Sequence, residues 1–281
     1  MLRTLSTIRR PDAVDCGSKA ACLGELASRG YTVPGCAVLP VSIYEGFLVE
    51  HALAAVAAER ARESVGAAPA RLVEIEQEMS SAFARVELSP AVAAEILQWV
   101  RVSGANQCAV RSSATNEDLA GASFAGQYSS FLNVRPSDVP RTIVSCFASL
   151  FNARAAFYRR RKRMTTIGAM AVIVQKMVPS DHAGVVFTRA PRRPETLLIE
   201  CAAGLGDEVV SGTVAPNRYY LNRSTLHIEE ACERQPLAVA RVQAVAREAL
   251  AIEADLGGAQ DVEFGLVHDQ VHILQARPAY A

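Results

Sequence analysis

Near its end the sequence runs DVEFGLVHDQVHILQARP (261–278), with two acids, an amide and an arginine among alternating apolar residues. Folded as a hairpin with a three-residue turn at His268–Gln270, it sets Glu263 opposite Gln275 and Asp261 opposite Arg277. All four then share one face, because side chains alternate along strands. Val262, Phe264 and Leu266 take the other face, opposite Leu274 and Ala276. A carboxylate facing an amide oxygen, with a second acid and an arginine beside them, is a donor set for Mg²⁺ and phosphate. Magnesium takes oxygen ligands and shares them with a substrate phosphate. The same four residues also make a solvated polar face with a cross-strand Asp–Arg pair.

Three other stretches carry residues that bind anions. AVRSSATNEDLAGASFAGQYSSFLNV (109–134) places Arg111 at a strand end, ahead of a run of small and polar residues that includes Gly121 and Gly126. Small residues let backbone amides approach a phosphate closely, and arginine adds a two-pronged contact. A flexible loop with a structural arginine is the other reading. In VDCGSKAACLGE, Gly17–Ser18–Lys19 falls where a helix should start, so Lys19 adds a point charge beside free N–H groups. It is not the G-x-x-x-x-G-K-[ST] phosphate loop, and a Ser-capped helix with an exposed lysine also explains it. ECAAGLGDEVVSG (200–212) is a second glycine-rich turn after a strand. There Glu200 would meet a metal or a ribose hydroxyl, while Gly204 and Gly206 need mean only a tight turn.

Several function classes fall away. With 29 basic and 29 acidic residues the net charge is zero, so no global field draws the chain to nucleic acid or an anionic membrane. The run Arg159–Arg163 reads as the solvated C-terminal end of a helix. His51, His182, His227, His268 and His272 lack metal-ligand spacing, and no Ser-His-Asp or Cys-His context appears. The seven cysteines are scattered singly, and no apolar run approaches the ~18 residues of a membrane span. MLRTLSTIRRPDAVD lacks the apolar core of a signal peptide, so the expectation is a cytoplasmic protein with reduced thiols.

The elements that must position these residues follow from periodicity. SKAACLGELASR (18–29) reads as a helix capped by Gly30, and YTVPGCAVLP as extended chain. Residues 42–102 are Ala- and Glu-rich and mostly helical, broken around Gly66–Pro69 and Ser89–Pro90. QCAVRSSA predicts a buried strand, and a long helix is expected from Asp138 to about Met164. AMAVIVQKMV, AGVVFT and TLLIECA predict strands, RYYLNRSTLHI a hairpin around Asn222–Arg223, and 235–256 a helix stopped by Gly257–Gly258. Helices dominate the first part and strands the second. The expected fold is α+β with two lobes, 1–175 and 176–281.

The order of these stretches carries more than any one of them. VRSSATNEDLAGASFAGQYSSFLNV, then CFASLFNARAAFYR, VIVQKMV, AGVVFT, GLGDEVVSG and DVEFGLVHDQVHILQARP closely resembles one family. It is similar to the N-terminal ATP-grasp nucleotide-binding domain of phosphoenolpyruvate synthase, pyruvate phosphate dikinase and rifampin phosphotransferase. The likeness runs from about residue 12 onward and is weakest across 45–105. It implies an ATP-grasp fold binding ATP and Mg²⁺. Lys19 and Arg111 would hold ATP phosphates, and the loop of Ser123, Ala125 and Gly126 would cover them. Gln175, Lys176, Met177 and Val178 would line the adenine pocket, with Glu200 near the ribose. Glu263 and Gln275 would ligate Mg²⁺, and Arg277 would stabilise the phosphoryl group in transfer.

Two departures stand out. After AGVVFT the family continues with an Asp-Pro and a Thr-Gly, whereas this chain reads RAPRRPET; and GLGE becomes GLGD, with Asp207 one methylene shorter. Family members also carry a swivelling domain whose histidine, in a Thr-Ser-His setting, accepts phosphate, and none of the five histidines here has that setting. The expectation is therefore an ATP-dependent phosphotransferase of dikinase type acting on a histidine of a separate phosphohistidine-domain protein. Two alternatives stay open: a free-standing ATP-grasp kinase or ligase acting on a small-molecule acceptor, and a catalytically silent nucleotide-binding regulator.

Overall fold

The computed structural model describes residues 1–115, 118–119, 122–123, 128–162, 164, 167–205, 215–232 and 236–279, the side chains of 118–119 and 122–123 excepted. It divides into two compact units: Met1–Glu25 with Gly35–Met177, and Leu26–Pro34 with Val178–Ala281. In chain order the first part runs β1 (Arg3–Thr4), α1 (Ala13–Ser28), β2 (Cys36–Leu39), α2 (Val41–Glu50), α3 (Ala54–Gly66), α4 (Pro69–Phe83) and α5 (Pro90–Ser103). There follow β3 (Cys108–Ala114), the short β4 (Asp118–Leu119) and β5 (Ala122–Ser123), β6 (Ser130–Val134), α6 (Val139–Ala148), α7 (Ala153–Arg161) and β7 (Met170–Lys176).

Five of these strands form one antiparallel sheet in the order β1-β2-β7-β3-β6. Alternation assigns its two faces different work. Ala37, Leu39, Val110, Ala114, Val172 and Val174 turn toward the helices and join Phe47, Met79, Phe83, Ile143 and Phe147 in one core. Phe47 anchors it, with ring centroids 5.5 Å from Phe83 and 5.4 Å from Phe147. Truncating such a ring costs about 3–5 kcal/mol. Arg111, Ser113 and Gln175 turn the other way, toward the start of α1.

Helix boundaries follow capping chemistry where the chain has it. Pro69 and Pro90 stand in the first turns of α4 and α5, and Gly104 ends α5 in the left-handed region at φ 63°. The long helix expected from Asp138 to Met164 is instead two. Asn152 adopts φ −54°, ψ 133°, which no helix tolerates, and its carbonyl starts α7 by accepting the Ala156 N–H. Another break, at His51–Leu53, is marked by Ala52 at φ 55°.

The second unit holds β8 (His182–Phe187), β9 (Thr196–Ala203), β10 (Asn217–Asn222), β11 (Ile228–Cys232), α8 (Val239–Leu256), β12 (Gln260–Val267) and β13 (Gln270–Pro278). Its six-stranded antiparallel sheet has the order β11-β10-β9-β8-β12-β13. Helix α8 buries Val242, Val245, Ala246, Ala249, Ile252 and Leu256, a stripe at helical spacing, and ends at Gly257 with φ 76°. Residues 26–34 belong to this unit because they are pinned to it. The Ile273 N–H donates to Thr32 O at 2.8 Å, and Tyr31 Oη donates to Asp255 at 2.7 Å.

The closing hairpin pairs as expected but by another route. Asp261 faces Arg277 and Glu263 faces Gln275, while beyond them Phe264 faces Ile273 and Val267 faces Gln270. The turn is therefore the two residues His268–Asp269, with His268 at φ 54°, and a bulge at Leu274 restores the register. Val262, Phe264 and Leu266 are buried as expected, opposite Ile273 and Ala276 rather than Leu274.

Candidate functional site

In the first unit the candidate residues assemble on one strand and one helix start. Gly17 sits at φ 74°, ψ 160°, inside α1, so regular helix begins at Ser18. The Ser113 hydroxyl bridges that start: it donates to the Cys16 carbonyl at 2.8 Å and accepts the Ala20 N–H at 3.2 Å. Lys19 is thereby held against β3, its Nζ donating to the Ser112 carbonyl at 3.2 Å. Ser18 Oγ is buried there without a hydrogen-bond partner among the described residues.

Arg111 stands two residues before Ser113 and donates through Nη1 to Gln175 Oε1 at 3.4 Å. Gln175 is only 3 % exposed and lies opposite both Cys36 and Ala109. Burial pushes the Cys36 thiol up to about 12, against the Gln175 hydrogen bond and the Arg111 charge, so all three groups are neighbours. Lys19, Arg111 and Gln175 thus meet around β3, with a helix N-terminus beside them. Such a surface attracts anions through N–H groups, the dipole and two cations.

The other adenine-pocket candidates stand differently. Lys176 turns to the opposite face from Gln175, and its Nζ donates to Ser103 O at the end of α5, 3.3 Å away. The backbone N–H groups of Lys176 and Met177 donate to Gly35 O and Gln107 O. Val178 begins the second unit; it is buried, and its carbonyl accepts the Ser180 N–H at 2.8 Å. Ser123 lies on β5 with its side chain undescribed, and Gly121, Ala125, Gly126, Arg163, Gly206 and Asp207 fall outside the described residues.

In the second unit the hairpin brings two carboxylates, an amide and a guanidinium together. Arg277 Nε and Nη2 each lie 3.2 Å from Asp261 Oδ2. Burial raises the Asp261 carboxyl above the usual range; Arg277 opposes this and the Glu263 charge adds to it. Gln275 is 5 % exposed. Among the described residues no three His, Cys, Asp or Glu side chains form a complete metal cage. Glu263 and Gln275 would offer oxygen donors for a partial Mg²⁺ shell completed by phosphates and water, while Asp261 is paired with Arg277. Glu200, on β9, accepts from Arg218 Nε at 2.7 Å, a cross-strand partner.

Ser113, and the close approach of Gly17 to it, escape sequence reasoning. A Ser-Lys after glycine marks the helix start, but nothing in the sequence ties it to a serine some 93 residues away. Among the described residues no single helix is long and apolar enough to cross a membrane.

Comparison with known proteins gives a concordant picture. Residues 14–235 match the family described as pyruvate phosphate dikinase, AMP/ATP-binding domain. A probable phosphoenolpyruvate synthase of Methanocaldococcus jannaschii is 31% identical, over 98% of this chain and 26% of its own length. The phosphoenolpyruvate synthase of Aeropyrum pernix is 37% identical over 76% of this chain and 27% of its own. A rifampicin phosphotransferase of Streptomyces sviceus is 38% identical over 60% and 23%. The chain thus spans about a quarter of the length of these relatives. Among solved structures, D-alanyl-alanine synthetase A of Vibrio cholerae aligns at 11% identity, TM-score 0.36, over 68% of this chain and 46% of that one. That likeness is too slight to argue from.

Proposed function

The chain belongs to the pyruvate phosphate dikinase AMP/ATP-binding domain family, and from that premise we propose that it binds Mg²⁺–ATP in an ATP-grasp fold and starts a phosphoryl transfer. The observation that supports this best is Lys19 held against the strand of Arg111, at a helix N-terminus. Lys19 and Arg111 neutralise the phosphates, and the segment of Ser123, Ala125 and Gly126 covers them. Gln175 and the chain through Lys176, Met177 and Val178 receive the adenine, and Glu200 takes the ribose once Arg218 yields it.

Glu263 and Gln275 hold Mg²⁺, which when bound neutralises charge on the phosphate oxygens. Arg277 donates its N–H groups to the phosphoryl oxygens as charge develops there. The acceptor is a histidine of a separate protein. Its ring nitrogen bonds the β-phosphorus, the bond from that phosphorus to the α–β bridging oxygen breaks, AMP leaves with that oxygen, and the histidine carries the β- and γ-phosphates.

Phosphorus NMR of the purified chain with Mg²⁺–ATP, with and without clarified extract of the source organism, tests this reading. AMP formed only with extract is the expected result. ADP formed with a small-molecule fraction would replace it with a direct kinase or ligase. Unchanged ATP in every mixture would replace it with a nucleotide-binding regulator.

A further inference from the structure

The first unit has a groove of about 490 Å³ away from Lys19 and Arg111, between the end of α4, the 84–89 loop, β6 and α6. Phe83, Leu88 and Val144, all buried residues, give it apolar walls, and the volume is that of a small-molecule site. Two opposite charges, Glu87 and Arg141, stand exposed on its lining. Neither forms an ion pair with a described residue. Asp138, one turn before Arg141, is held by Arg135 at 2.8 Å and feels the Arg141 charge as well.

Ser129 and Asn152 also line the groove. Asn152 Nδ2 donates to Ser129 Oγ at 3.5 Å, and Ser129 O accepts the Ser112 N–H at 3.3 Å. Ser112 is the residue whose own carbonyl receives Lys19. Ser129 directly precedes β6, and β6 pairs Ser130 with Arg111.

We propose that this groove binds a small zwitterion with an apolar body, its carboxylate toward Arg141 and its ammonium toward Glu87, and that binding alters nucleotide affinity through Ser129 and β3. The exposed opposite charges over apolar walls select this class above an anion, a cation or a neutral apolar molecule. The coupling, though not the binding, rests on the nucleotide reading above.

Saturation-transfer NMR on the full chain tests the site, with L-phenylalanine and L-leucine as probes and phenylacetate, phenethylamine and benzyl alcohol as controls. The zwitterions should bind more tightly than the controls. Arg141→Ala should weaken them about threefold to fivefold, the range an exposed ion pair allows. Ser145→Trp, at an exposed position on the lining, should abolish binding by filling the groove. Controls that bind as well as the zwitterions, zwitterions that do not bind, or binding undiminished in both variants would overturn the site. Mg²⁺–ATP titrations with and without saturating L-phenylalanine test the coupling: a threefold or larger change in affinity is expected. Unchanged affinity beside intact probe binding would overturn the coupling alone.

Discussion

Gly17 and Ser113 meet too closely for any side chain between them: a β-carbon built on Gly17 would lie 2.1 Å from the Ser113 carbonyl oxygen. Glycine is needed twice over, since φ there is +74°. Gly17→Ala must push the start of α1 off β3 and with it Lys19. Overpacking and the positive φ together should cost about 2–4 kcal/mol. Thermal unfolding should show a lower midpoint, and Mg²⁺–ATP affinity should fall further than in Lys19→Ala alone. An unchanged midpoint would contradict the clamp.

Glu253 contributes acid-sensitive stability to the second unit. It is 8 % exposed and receives Arg223 in a fork, Nη2 to Oε1 at 2.8 Å and Nη1 to Oε2 at 3.0 Å. Burial alone would raise its carboxyl, but Arg223, Thr188 and Arg189 hold it below the ordinary glutamate value. A depressed folded pKa means stability fully present above the unfolded value and lost as pH falls through the folded one. Glu253→Gln should cost about 2 kcal/mol at pH 7, because it leaves a half-buried guanidinium without its counter-charge. The penalty should shrink below pH 4, which urea unfolding at several pH values would measure.

The closing hairpin shows how much of this was legible. Its two polar cross-strand pairs could be read from alternation and an assumed three-residue turn; the turn is two residues instead, and a bulge at Leu274 absorbs the difference. Local patterns also reached the helix breaks at Pro69 and Pro90 and the cap at Gly257. They failed at Asn152, where an amphipathic pattern continues straight across a non-helical residue that caps α7. Partners distant in sequence were out of reach: the Ser113 clamp on α1, Arg218 on Glu200, and the segment 26–34 stitched to the second unit through Thr32. Those depend on which strands neighbour in space, and periodicity says only which face a residue takes.

The cysteines should divide sharply by reactivity. Cys232 is exposed, whereas Cys36, Cys108 and Cys146 are buried. Burial pushes their thiols up to about 12, 11 and 12 respectively. At pH 8 a thiol reagent should label Cys232 within minutes and these three only after unfolding. Rapid native labelling of any of the three would contradict the packing of the first unit.

Arg277 and Glu263 should fail in different ways. Arg277→Ala should leave Mg²⁺–ATP binding within about threefold while turnover drops at least about 100-fold, since its donors serve the transition state. Arg277→Lys, which keeps a charge beside Asp261, separates that loss from a structural one. Glu263→Ala should make nucleotide binding indifferent to Mg²⁺, as calorimetry with and without chelator would reveal. Retained Mg²⁺ dependence would remove Glu263 as a ligand.

Calorimetric titration of Mg²⁺–ATP into the wild-type chain and into the Lys19→Ala/Arg111→Ala double variant tests the central claim most directly, with circular dichroism to show that both are folded. Loss of the two cations proposed to hold the phosphates should weaken affinity at least about 100-fold, roughly 2.7 kcal/mol, with the helical signal intact. Equal affinity in both proteins, or no binding in the wild type, would contradict the account.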